Sequence, residues 1–215
     1  MKYIAVRLSR WKVATLELKF VIFLSISIML NFCVVTISPY FLNYIQNREG
    51  VRVNDFILTL LPSYDVSYLI WGIMNLSLLI AVGWLVFKPK DFAIATMTWA
   101  VVVIMRYFFI YMFSLEAPEG YVKLTDPILD QFVYAGKVIN KDLFFSGHTS
   151  VMFLAYLSVQ HPVLKKIFFV ATCLVGFLLM IQHNHYTFDI VAAPFFTWIG
   201  YKFSTVLYFK QMSIK

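Results

Sequence analysis

Four polar side chains stand out in an otherwise apolar sequence: His148 in "SGHT" (146–149), and His183, His185 and Asp189 in "HNHYTFD" (183–189). His185 and Asp189 are four residues apart, so on a helix they share one face. A carboxylate so placed orients an imidazole and stabilises its charged form. That pairing suits attack on phosphorus, in which a neutral imidazole nitrogen is the nucleophile and a second histidine delivers a proton to the leaving oxygen. His185 is expected to attack, Asp189 to hold it, and His148 to serve as the acid. The "SGH" segment adds an anion-binding element, because a helix N-terminus offers free backbone N–H groups and Gly147 permits close approach of phosphate oxygens. Ser146 fits such a site and equally fits a plain helix cap. Arg106 is a further candidate cation. Each residue also has a structural reading: interfacial histidines, an interhelical His185–Asp189 hydrogen bond, and an arginine that snorkels to the interface.

The elements that must carry these groups follow from composition. Of the 215 residues, 61% are hydrophobic and 13% charged, against roughly half and a quarter in soluble domains. This marks an integral membrane protein. A span needs about 20 apolar residues to cross about 30 Å of hydrocarbon, and six segments qualify, near 20–42, 66–87, 92–113, 143–160, 164–182 and 188–209. The fourth and fifth are short. The expected fold is all-α, a polytopic integral membrane bundle of six transmembrane helices, with tight turns at 88–91 and 161–163 between antiparallel neighbours. An amphipathic cytoplasmic segment, 1–19, precedes a membrane catalytic domain, 20–210, and the first span reads as a retained signal anchor.

The net charge of +7 is explained by the positive-inside bias rather than by nucleic acid. Basic residues crowd before the first span, between the second and third, between the fourth and fifth, and at the C-terminal end. Both termini are therefore expected in the cytoplasm. The loops 43–65 and 114–142, which carry Asp55, Glu116, Asp126, Asp130 and Asp142 among others, are expected outside. The fourth and sixth spans then both run inward from the outer face, which gathers His148, His183, His185 and Asp189 there. Cys33 and Cys173 fall inside apolar spans without paired spacing and give no disulfide or metal framework.

"DLFFSGHT" (142–149) and "HNHYTFD" (183–189) resemble the two signature motifs of the sphingomyelin synthase branch of the type-2 phosphatidic acid phosphatase superfamily. The resemblance implies His148, His185 and Asp189 as catalytic triad, and Asp142, Ser146, Gly147, His183, Tyr186 and Thr187 as further motif positions. It implies a phosphorylated His185 intermediate, a His148 that protonates the leaving alcohol, six spans and an external site. Asp55 in "VNDFILTLLP" (53–62) resembles an outer-loop motif of that family, and Arg106 with "SLEAPEG" (114–120) resembles an Arg followed by a proline-rich turn. Glu116 and Ala117 stand where the family tends to have proline. The superfamily's ordinary phosphatases carry an Arg six residues before the nucleophilic His, where this chain has Leu179. Fewer phosphate clamps suit a singly charged phosphodiester better than a monoester.

The reading that results is a membrane lipid phosphotransferase or phosphodiesterase acting on a phospholipid headgroup, sphingomyelin synthase-like, with water or a lipid alcohol as acceptor. Neither a metal nor an organic cofactor is expected. The nearest alternative is a metal-independent lipid phosphate phosphatase. An alternative of another class is a non-catalytic membrane carrier or scaffold, but the inverted repeats and broken helices of a carrier are not evident.

Overall fold

Long apolar runs without breakers become helices because hydrocarbon offers the backbone no hydrogen-bond partner, and a helix satisfies its own. The computed structural model describes residues 10–125 and 139–213. Within them lie α1 (Leu18–Gln46), α2 (Phe56–Thr59), α3 (Ser67–Leu85), α4 (Pro89–Met112), α5 (Gly147–Ser158), α6 (Pro162–Ile181) and α7 (Thr187–Ser213). Pro89 and Pro162 open α4 and α6, where a missing N–H costs nothing. Asp55, Ser146 and His161 cap α2, α5 and α6 with their side chains. Asp126 and Asp130 of the expected outer loop, and residues 1–9 of the expected surface segment, lie outside the described residues.

Five helices, α1, α3, α4, α6 and α7, are long and apolar enough to cross a membrane. The expected fourth span, 143–160, is present as α5, but its twelve residues cover only about 18 Å at about 1.5 Å per residue. Its surroundings account for the shortness. α5 packs against α3, α4, α6 and α7, and backbone walled by protein need not be helical across the full hydrocarbon depth. Its buried hydroxyls, Thr149, Ser150 and Ser158, fit the same protein-facing position.

α4 is the second central element: 56% of its most apolar window is buried, against 17% for α1, so α1 is the peripheral, lipid-facing helix. One end of the bundle is packed with apolar side chains. There Phe20, Phe23, Ala93, Ile94, Met97 and Tyr208 form one cluster, and Ala81, Leu85, Ala155, Val159 and Phe168 another. Residues 10–16 are helical and lie against this end. Trp11 packs edge-on to Phe20 and Phe92 and donates to Val86 O at 2.5 Å. The opposite end, where α4 and α6 finish and α5 and α7 begin, carries His148, His183 and His185.

Candidate active site

The start of α5 is built around Ser146, which is fully buried. Its hydroxyl oxygen accepts from Thr149 N at 3.3 Å and from the Thr149 hydroxyl at 3.1 Å, so Ser146 is a helix cap. Its own N–H donates to Asp189 O at 3.1 Å, joining the two histidine motifs through backbone. Gly147 has a local cause of a different kind. A Cβ there would sit 3.0 Å from both Cζ and Nη1 of Arg106, so the guanidinium lies directly on the glycine. Arg106, only 6% exposed, is held by Nε donating to Phe145 O at 2.7 Å and Nη2 donating to Asp142 Oδ1 at 2.8 Å.

Residues between Ile181 and Thr187 turn the chain from α6 into α7. His185 therefore precedes α7, and its partner Asp189 lies in the first helical turn. The expected four-residue pairing holds in this form: His185 Nδ1 donates to Asp189 Oδ2 at 3.3 Å. The same oxygen accepts Tyr186 N at 3.1 Å, so the carboxylate fixes the ring and the turn together. A ring that donates through Nδ1 keeps its lone pair on Nε2. His148 faces His185 with ring centroids 6.5 Å apart at 64°, a separation at which one phosphoryl group can reach both. His148 Nε2 and Asp189 Oδ1 are buried without a hydrogen-bond partner among the described residues.

Both histidines open onto a cavity of about 300 Å³. Arg106, Asp142, Gly147, His148 and His185 all line it. Val34 and Val35 of α1, Leu78 of α3, and Trp99 and Val103 of α4 form apolar wall. The structure thus gathers these five candidates at one cavity, with Asp189 behind His185. Ser146, His183 and Tyr186 are placed elsewhere. His183 Nδ1 lies 2.7 Å from Glu119 O and Nε2 lies 3.1 Å from Leu61 O, so both ring nitrogens face backbone carbonyls. Tyr186 accepts Val53 N at 3.1 Å and donates to Glu116 O at 2.9 Å. Burial raises the pKa of its phenol, which keeps the donor in place.

The polar lining residues that escaped the sequence reading include Tyr107, Lys123 and Asn184. Asn184 was findable, since it sits between two histidines. Lys123 was not, because the loop that carries it has no periodicity to say which way it folds. Among the described residues no group of three or more His, Cys, Asp or Glu is arranged to hold a metal.

Residues 141–208, which contain both histidine motifs, match the family described as PAP2 superfamily C-terminal. No curated protein matches the chain. The family match supports the type-2 phosphatidic acid phosphatase superfamily, and with it a lipid phosphatase or phosphotransferase type of activity.

Proposed function

We propose that the protein transfers the phosphoryl-containing headgroup of a membrane phospholipid through a covalent intermediate on His185. The observation that carries this reading is the arrangement of His148 and His185 across one cavity, with Asp189 behind His185. His185 Nε2 attacks phosphorus and the phosphorus–oxygen bond to the lipid alcohol breaks, with His148 giving its proton to that oxygen. An acceptor hydroxyl then attacks the phosphorus, passes its proton to His148, and the phosphorus–nitrogen bond breaks. Arg106 stabilises the charge that develops on the phosphoryl oxygens.

The cavity supports a lipid substrate because apolar side chains from three membrane helices line it together with the histidines. A headgroup-bearing diester is favoured by charge: Arg106 is already paired with Asp142 at 2.8 Å, which leaves less positive potential for a dianionic monoester. Lys123 on the cavity wall favours the second reading, a lipid monoester phosphatase. A competition assay decides between them, scoring free phosphate, free phosphorylated headgroup and new lipid from labelled phospholipid and phosphatidic acid together. The proposal expects consumption of the intact headgroup donor and, with ceramide or diacylglycerol present, label on that alcohol. Free phosphate from phosphatidic acid as the main product would replace it with the phosphatase.

The charge bias supports a site on the extracytoplasmic face with both termini inside. With Cys33 and Cys173 changed to Ser, Glu119→Cys should react with an impermeant thiol reagent in intact cells and Lys90→Cys only after lysis. The reverse pattern would invert the topology.

A further inference from the structure

The site touches neither Asp55 nor the loop around it, yet that loop grips the residues that follow His185. Asp55 Oδ2 accepts Thr187 N at 2.6 Å, and Oδ1 accepts the Thr187 hydroxyl at 3.0 Å. The two residues are 132 apart in sequence. Oδ1 also accepts Ile57 N at 3.1 Å and Leu58 N at 3.3 Å, so the carboxylate is itself fixed by the first turn of α2. Two residues earlier in the loop, Val53 N donates to the Tyr186 hydroxyl. Consecutive residues, Tyr186 and Thr187, are thus each anchored to one short loop.

We propose that Asp55 is a positioning residue: its carboxylate caps α7 from a distant loop and thereby sets the aim of His185. Thr187 is the first residue of α7, and the first N–H groups of a helix have no partner within it. The preceding side chain, Tyr186, has its hydroxyl committed to Val53 and Glu116. The cap is therefore borrowed, and a carboxylate receiving backbone N–H groups is among the stronger forms of hydrogen bond. The borrowed cap fixes the chain next to His185, where the Nδ1 to Asp189 Oδ2 contact, at 3.3 Å, leaves little tolerance. Asp55 does not line the cavity, so its effect passes through the turn and falls on the rate of the chemical step rather than on lipid binding. The inference rests on the reading of His185 as nucleophile.

The test uses the full chain in phospholipid vesicles with Asp55→Ala, Asp55→Asn, Thr187→Val and the Asp55→Ala/Thr187→Val pair. Asp55→Asn is informative because its Nδ2 can turn a donor toward the Thr187 N–H. Turnover per folded molecule should fall about 10- to 100-fold in Asp55→Ala and Asp55→Asn with KM within about twofold, since a small misplacement of a reacting group costs rate. Thr187→Val should lose less, and the pair should be no worse than Asp55→Ala alone. Acylation by diethyl pyrocarbonate, mapped by mass spectrometry, supplies a readout that needs no turnover. It should speed up about tenfold at His185 in Asp55→Ala and stay constant at His161. Unchanged turnover per folded molecule together with unchanged His185 acylation overturns the inference, as does a loss explained wholly by a lower unfolded-state threshold on heating. An inactive wild type whose His185 acylation still responds to Asp55→Ala sinks the phosphotransfer reading and leaves the clasp standing.

Discussion

His183 and His185 flank Asn184 in the turn between α6 and α7, and their surroundings differ at every nitrogen. His183 has Glu119 O and Leu61 O against its two ring nitrogens and ties three segments together. His185 has one nitrogen on Asp189 and shares a cavity with His148, Arg106 and Asp142. Both His183 nitrogens are covered by backbone carbonyls and are shut off from a substrate, whereas His185 keeps one nitrogen clear of Asp189 on the cavity side. The difference teaches that reactivity at this end of the bundle depends on which nitrogens the backbone leaves unused. Histidine content alone does not locate it.

Substitution at the unused nitrogens should have the largest effect. His185→Ala and His148→Ala are each expected to lower turnover about 10⁴-fold or more, since each removes one step of a coupled transfer; purified variants assayed on labelled phospholipid check this. Asp189→Asn should cost about 10³-fold, because an amide cannot stabilise the developing imidazolium as a carboxylate does. Arg106→Ala should cost about 10²-fold, the usual scale for one preorganised charge-stabilising donor. Gly147→Ala acts on the same arginine through the 3.0 Å approach of its new Cβ to Cζ, and a loss of about tenfold is expected. On the other side of the comparison, His183→Leu, which removes every ring donor, should lower stability by about 1–3 kcal/mol through lost hydrogen bonding to these carbonyls. Thermal unfolding measures it, and turnover per folded molecule should change least of the series.

The long helices were legible because each apolar run is long enough to speak for itself, and the ends of α1, α3, α4, α5, α6 and α7 fall within four residues of the expected boundaries, whereas α2 was not expected. The His185–Asp189 pairing was legible because its spacing is local. What the sequence concealed is non-local. The length of α5 depends on four neighbouring helices that wall it off from lipid. The reason for Gly147 is Arg106, on another helix. His183 is occupied by carbonyls from loops 64 and 122 residues away in sequence, and Lys123 reaches the cavity along a loop with no period. None of these contacts leaves a mark on the spacing of the residues that make it.

The central claim is that phosphorus becomes bonded to His185. It is tested most directly in His148→Ala with a phosphodiester whose nitrophenolate leaving group needs no proton. That variant should form the adduct and, lacking the base for the second step, retain it. After an alkaline quench, mass spectrometry should find the phosphoryl-containing group on His185 and nowhere else. Nitrophenolate released in stoichiometric amount with His185 unmodified, or with the adduct on another residue, would contradict the account.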